Sequence, residues 1–582
     1  MPDYDVIVIG GGGVNGLACA SYLGKAGLKV LALERRGQCG THCDTLEPGI
    51  PGFLHNLHAT WLIAANSPAM ADLELEKHGL ELRLTDYAYA KTFMDKKCAL
   101  QGTYTDDTVS NWAKFSKRDS ELLSRMSGVL FENVPEIVEA MHAFMSTPPS
   151  MKTLRNLEDS LLGKLKKVLN AYNINLSLSE LWQMNGFETL NYLFESEHIK
   201  TMIATLGWIG AFPPIHRAIG SMMGTLISVM VGPLMSVTQA KGGSHALTHA
   251  LVKSAVANGV EIRTCCPVKR ILVENGKAVG VELEDYALFP SEKITAKAIV
   301  SNVTVVPTFI QMVGEDNLPL EMSELIKTFT YDEQVLFGAH YALKEPPVWS
   351  SANFDPGVQR SFMGYFGGET MEELEAYGAS LVSGRIHDKV TANWFVPTLA
   401  DPTQAPDGCH TMFVWFDVPP CPRSWKGGKL DGNLEVWHKI KHEMVDEITE
   451  TVERFAPGFK KSIIEKFPYT CADGFRNNPS AIKGNWVGGS ITPDQFYTFR
   501  PKPGVLRPKS GSRSFLESLY LSNSIHPIGC TGLWSGYIAA CEVAEDLGVR
   551  EKEWWKSRTS EWYVENLYRI PKDLGVKDQW KG

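Results

Sequence analysis

Between Tyr4 and Glu34 the chain strings together an apolar run, a glycine-rich turn, a small-residue helical pattern and a second apolar run that ends on an acid. Tyr4-Asp5-Val6-Ile7-Val8-Ile9 has the continuous β-branched character of a strand covered on both faces. Gly10 to Gly13 follow, and the spacing Gly11-x-Gly13-x-x-Gly16 opens a helical stretch (Leu17, Ala18, Ala20, Leu23) that stops at Gly27. Lys29 to Leu33 is a second strand, and Glu34 ends it. A glycine-rich match alone is weak, but strand, turn, helix, strand and acid in this order make the dinucleotide-binding βαβ unit. Gly11 permits the tight turn, Gly13 lets backbone amides reach a pyrophosphate, and Gly16 lets helix and strand pack closely. Val14 and Asn15 then sit at the helix N-terminus, which faces the anion. Glu34, with Arg35 beside it, stands where an acid accepts hydrogen bonds from ribose hydroxyls.

Composition narrows the rest. At 582 residues the chain implies two or three joined domains, and 44% hydrophobic against 21% charged residues marks it as globular. A formal net charge of −9 leaves no basic surplus for a nucleic-acid partner. Eleven cysteines, an odd number without any Cys-x-x-Cys, and no signal-like segment before the first strand lead us to expect a reduced, cytoplasmic setting. Cys39, His42 and Cys43 are close enough to suggest a metal, but no second ligand pair follows and none is expected. Between Arg217 and Lys241 there is no charged residue. That length could cross a bilayer, yet Gly220, Gly224, Gly232 and Pro233 interrupt it. A buried helix and loop lining an apolar cavity is expected instead, with shallow, peripheral membrane contact left open. Met222, Met223, Met230 and Met235 would suit a greasy tunnel or ordinary core packing.

Further along, residues 67–239 read as mostly helical, with breaks at Pro148-Pro149 and Pro213-Pro214. Lys241-Gly242-Gly243-Ser244 leads into a helix over Ala246 to Ala257 and a short strand, Val260 to Ile262. Val268 to Val273 and Ala278 to Leu283 alternate about Asn275-Gly276, a hairpin signal. Lys297 to Asn302 is a buried strand. Gln334 to Tyr341, Val390 to Phe395 and Thr411 to Phe416 are candidate strands of a second sheet, with a helix from Leu434 to Phe455. Leu519 to Ser524 is a strand that runs into the glycine-rich stretch His526 to Gly536, followed by a helix over Tyr537 to Leu547. This second turn does not repeat the first motif. It is read as the closing element of the same cofactor site.

The order of segments, from the glycine turn through Pro51-Gly52-Phe53-x-His55, the Gly242-Gly243 helix with its hairpin, Tyr497 to Gly504, and Leu519 to Gly529, resembles the carotenoid (phytoene) desaturase-like branch of the FAD-dependent oxidoreductases. The resemblance covers nearly all of the chain up to Val549. It implies an α/β fold, with a Rossmann-like FAD-binding domain assembled from discontinuous segments and a mixed sheet-plus-helical substrate domain. The implied division is 1–70, 240–306 and 485–549 for FAD, 71–239 for a helical cap, 307–484 for the substrate domain, and 550–582 for an aromatic-rich tail. It also implies extended FAD, with adenosine at Glu34 and the backbone of Val268, the flavin near Gly532 and Leu533, and Gly40, Thr41, His42, Asn302 and Ser524 along the path. The chain departs from the family at Cys39-Gly40-Thr41-His42, where a glycine pair and an arginine are usual, and at Ile528 and Cys530. Those positions leave a different substrate open, or a covalent flavin link through Cys530 or His42.

The expected chemistry is hydride transfer from a C–H bond of a small apolar, terpenoid-like substrate to the flavin. Oxidation of a smaller alcohol, amine or ring compound, or a non-catalytic flavin-containing scaffold that binds lipid, are the alternatives. No second dinucleotide motif is visible, so oxygen, a quinone or a protein is the expected electron acceptor. His526, His55 and Trp534 are the catalytic candidates, with His58 a further acid-base group. Arg500 is expected to pair with an internal carboxylate or with a polar end of the substrate. The tail, with Trp554, Trp555, Trp562, Tyr563, Tyr568 and Trp580, either docks on the chain's own surface or meets a partner, a second copy or a membrane.

Overall fold

The computed structural model describes residues 1–64, 67–175, 177, 180, 183–209, 238–331, 334–529 and 531–555. The expectations about Met222 to Met235, Pro213-Pro214, Cys530 and the tail aromatics from Trp562 onward lie outside the described residues. No described helix is long and apolar enough to cross a membrane.

The opening motif folds as strand β1 (Tyr4–Ile9), helix α1 (Val14–Lys25) and strand β2 (Val30–Leu33). Strand β1 is the axis of a seven-stranded sheet. It pairs in parallel with β2 on one side and with Lys293–Ser301 on the other. Glu261–Arg263 extends the sheet in parallel beyond β2, and Leu519–Leu521 pairs in parallel with the end of Lys293–Ser301. The hairpin Val268–Glu274 and Lys277–Leu283 closes the far edge. Both faces of β1 are covered, which accounts for its unbroken apolar run. Val6 and Val8 pack with α1, with the helix His245–Ala257 and with the closing helix Trp534–Asp546. Ile7 and Ile9 pack on the other face with Ile271, Val281 and Phe309.

A second seven-stranded sheet is antiparallel at every pair except one. Three of its strands stand where the sequence predicts them: Val335–Leu343, Ala392–Phe395 and His410–Val418. The others were not foreseen. Tyr87–Thr92 and Cys98–Gly102 form a hairpin inside the stretch read as mostly helical. All of their residues are buried, so both faces are covered and no alternation of polar and apolar residues advertises them. Ile463–Tyr469 is an edge strand with half-exposed residues, and its mixed composition hides it. The helix Val436–Phe455 packs Trp437, Ile440, Met444 and Ile448 into this core.

The start of the tail docks on the chain itself. The Trp555 ring is fully buried and stacks on Tyr22 of α1 at 5.3 Å, and Trp554 stacks on Trp555 at 5.0 Å. Lys25 caps Trp554 at 4.7 Å and Arg550 caps Trp555 at 4.4 Å. Removing a buried Trp ring costs about 3–5 kcal/mol. Trp555→Ala is therefore expected to lower the denaturant midpoint of the whole protein clearly. An unchanged midpoint would contradict this docking.

Candidate active site between the glycine-rich turns

The two glycine turns meet although they lie far apart in sequence. Ser535 Oγ donates to Asn15 Oδ1 at 2.9 Å, and the Gly536 N–H donates to the same oxygen at 3.3 Å. The helices cross so closely that a Cβ on Gly536 would come 2.2 Å from the Asn15 carbonyl oxygen. Asn302 supplies a second tie. Its Nδ2 donates to the Gly10 carbonyl at 3.1 Å, and its Oδ1 accepts from Ser522 Oγ at 3.2 Å.

A cavity of about 480 Å³ runs past this junction. At one end stand Glu34, Arg35, Val268, Glu284 and Tyr286. Gly10, Gly13, Val14, Asn15, Gly40, Thr41 and Asn302 line the middle. At the other end, against the second sheet, are His42, His58, Trp61, Trp415, Trp486, Asn477, Ile528, Gly529 and Thr531. Gly11 and Gly16 lie behind the wall and shape the turn. The Gly11 N–H donates to the Leu33 carbonyl at 2.9 Å, and a Cβ on Gly16 would come 2.8 Å from the Gly10 carbonyl oxygen.

Glu34 is buried, and its two oxygens accept N–H groups from Gly12 at 3.1 Å and Arg36 at 2.8 Å. Burial raises its carboxyl above the ordinary value, opposed by those backbone donors and by the Arg36 charge. The loop after it is clamped to the Gly242-Gly243 segment. Asn56 Oδ1 accepts the Ser244 N–H at 2.9 Å, Thr45 Oγ1 accepts the His245 N–H at 3.1 Å, and Arg36 lies 2.6 Å from the buried Asp44 carboxylate.

The other candidates stand behind the wall. Ser524 is buried, and its Oγ accepts the Val305 N–H at 3.1 Å, while its neighbour Asn523 lines the cavity. Gly532 packs on Trp534, Leu533 is buried at the start of the closing helix, and Thr531 reaches the cavity in their place. The three catalytic candidates are buried and absent from the described wall. His526 Nε2 meets the Phe144 carbonyl oxygen at 2.7 Å, between the rings of Phe144 and Tyr497. His55 sits at the edge of Phe467 and of the fully buried His340. Arg500 is also buried and donates to six backbone carbonyls: Ile525, Ser490, Gln495, Val487, Gly488 and Gly489. It braces the 487–495 loop. Trp415, Asn477 and Trp486 were missed on the wall, since nothing local in the sequence distinguishes them.

This wall fits FAD. It offers an acid at one end, helix N-terminal amides in the middle, and a turn so close that a Cβ on Gly13 would come 2.7 Å from Asn302 Nδ2. Glu34→Ala removes charge-assisted ribose contacts worth about 1.5–3 kcal/mol, so FAD affinity should fall by roughly tenfold to a hundredfold. The flavin-to-protein ratio after gel filtration reads this, and an unchanged ratio would contradict the assignment.

The buried imidazoles also predict a pH effect. Burial lowers His42, His55, His142 and His526 from 6.5 to about 4, and holds His58 and His340 well below 6.5. Between pH 6.5 and 4 the unfolded chain therefore binds more protons at these sites, and stability falls as pH drops. Burial raises Asp72 to about 6 and raises Glu34 and Glu369 as well, which acts in the opposite sense for these three carboxyls against six imidazoles. Full stability above pH 6.5 and a falling midpoint below it are expected. A flat profile would contradict neutral burial of these side chains.

Comparison with known proteins agrees with the geometry. Residues 15–311, half of the chain, match the family described as flavin containing amine oxidoreductase. One of the subunits of limonene dehydrogenase from Castellaniella defragrans is 26% identical, with 95% of this chain and 96% of that protein aligned. Chloroplastic prolycopene isomerase of Daucus carota is 29% identical over 53% of this chain and 45% of that protein. The solved structure of an oxidoreductase from Methanosarcina mazei shares the fold with a TM-score of 0.54 at 15% identity, covering 93% of this chain and 100% of that one. The chain therefore belongs to the flavin-containing amine oxidoreductase family, in its carotenoid desaturase-like branch, and is an FAD-dependent oxidoreductase.

Proposed function

We propose that this enzyme dehydrogenates, or otherwise changes the unsaturation of, an uncharged apolar substrate of terpenoid character. The observation that carries this reading is the composition of the far end of the cavity. Its described wall includes Trp61, Ile63, Trp415, Trp486 and Ile528, with no Asp, Glu, Lys or Arg among these five. Of the charged lining residues, Glu34, Arg35 and Glu284 belong to the adenosine end, while the Arg36 guanidinium is paired with the buried Asp44 and its charge reaches His42. A cationic amine would lose its hydration at the far end without gaining a carboxylate, a costly transfer. An apolar body loses nothing there and gains from burial. The relative from limonene dehydrogenase supports the same substrate class.

When bound, FAD supplies the two-electron acceptor. The chain's own residues bind and orient. The indole rings hold the apolar body and keep water out, and His42 and His58 are imidazoles able to give or take a proton there. His55, His526 and Trp534 act from behind this wall by fixing the segments that carry it. In this reading, 1–70, 240–306 and 485–549 serve the cofactor, and 71–239 with 307–484 serve the substrate. Electrons then leave to oxygen, a quinone or a protein.

Anaerobic mixing tests the proposal. Limonene or a carotenoid in detergent should bleach the yellow protein, and a small alkylamine should not. Bleaching by the amine alone would overturn it. Recolouring on admitting air identifies oxygen as an acceptor.

A further inference from the structure

The adenosine end of the FAD cavity opens to solvent, and one turn there carries two side chains that the protein itself does not engage. Glu284 and Tyr286 both line the cavity, while Asp285 between them does not. The Tyr286 side chain is 67% exposed. Among the described residues no ring packs on Tyr286 and no group hydrogen-bonds its hydroxyl. The Glu284 carboxylate likewise has no hydrogen bond or ion pair among them. A lone exposed tyrosine on a loose loop would need no explanation.

This turn is fixed. The Glu284 N–H donates to the Pro267 carbonyl at 2.9 Å, and the Leu288 N–H donates to the Cys265 carbonyl at 2.9 Å. The Glu284 carbonyl accepts the N–H groups of Ala287 and Ser291, both at 3.2 Å. Phe289 lies under the Arg263 guanidinium at 5.1 Å, and Arg263 in turn donates to Glu261 at 2.7 Å and Glu292 at 3.1 Å. The segment Cys265 to Pro267, which leads into Val268, therefore also holds the turn. Two unengaged groups are kept in place beside Val268 without being used by the fold.

The two groups differ in what they can recognise. An aromatic ring stacks on any base, because every base has a π face. A carboxylate is acceptor-only, so it takes a hydrogen bond from an amino group on a base edge and rejects a base without one. Glu34 and the glycine turn suit ribose and pyrophosphate, which every such dinucleotide shares. We propose that the Glu284–Tyr286 turn recognises the adenine base of FAD, with the Tyr286 ring stacked on its face and the Glu284 carboxylate accepting from its exocyclic amino group. The site thereby selects the base as well as the diphosphate. This inference rests on the cofactor assignment and stands whatever the substrate.

The test titrates the flavin-stripped full chain with three probes: FAD, the flavin dinucleotide of purine (hydrogen in place of the adenine amino group), and FMN. The parent should bind FAD about tenfold more tightly than the purine dinucleotide, the effect of one charge-assisted hydrogen bond. Glu284→Ala should bind the two dinucleotides alike. Tyr286→Ala should weaken both by the same factor, roughly fivefold to a hundredfold, and Tyr286→Phe should stay near the parent. FMN lacks the adenosine and should bind the parent and both alanine variants alike. The flavin-free variants should keep the parent's denaturant midpoint, since neither side chain is engaged by the fold. Equal affinity of the parent for the two dinucleotides, or a preference that survives in Glu284→Ala, would overturn the amino-group contact. Parent-like FAD affinity in Tyr286→Ala, or an equal loss in Tyr286→Phe, would overturn the stack. A loss for FMN as large as that for FAD would place the effect away from adenine and overturn the proposal. A fallen midpoint in flavin-free Tyr286→Ala would do the same, because the ring would then serve the fold.

Discussion

The site depends on one crossing. Helix α1 and the closing helix touch where Asn15 receives hydrogen bonds from Ser535 and Gly536, 520 residues apart for the Ser535 bond. Only glycine at 536 allows that approach, since any Cβ would overlap the Asn15 carbonyl. The consequence is chemical as well as steric. It brings the first glycine turn, which fits a pyrophosphate, beside the second turn, whose residues Ile528, Gly529 and Thr531 line the far end of the same cavity. Asn302 makes the joint three-sided by bonding both the Gly10 carbonyl and Ser522.

The second sheet gives the far end its character. Strand His410–Val418 carries Trp415 to the cavity, the helix Cys471–Asn477 that follows Ile463–Tyr469 ends on Asn477, and the stretch beyond it brings Trp486. These residues place apolar rings and uncharged polar groups opposite the charged adenosine end. The polarity gradient along one cavity is what lets a dinucleotide and an apolar molecule share it. Neutral, buried imidazoles belong with this arrangement, because burial penalises the protonated form of His42 and His58.

Much of the first sheet was legible in the sequence, because its signals are local. A continuous apolar run, glycines at fixed spacing, an acid after the second strand and an Asn-Gly hairpin each need only a few neighbouring residues to be recognised. The hairpin Tyr87–Gly102 and the edge strand Ile463–Tyr469 were not legible, since the first is buried on both faces and the second is half exposed, and neither alternates. The wall of the site was legible only in part. His42 and His58 lie close in sequence, but their contact depends on the loop clamped by Asn56, Thr45 and Ser244. Histidines in glycine-rich or loop stretches give no sign of which way they point, and so His55 and His526 read as readily as cavity residues as did His58. Arg500 shows the same limit: a buried guanidinium can be held by carbonyl groups as well as by a carboxylate, and six carbonyls hold it here.

The most direct measurement is the stoichiometry of FAD binding to the purified chain, read by fluorescence quenching during titration of flavin-stripped protein. A single cavity shared by both turns predicts saturation at one FAD per chain. A protein that stays colourless and takes up no FAD, or one that saturates at two, would contradict it.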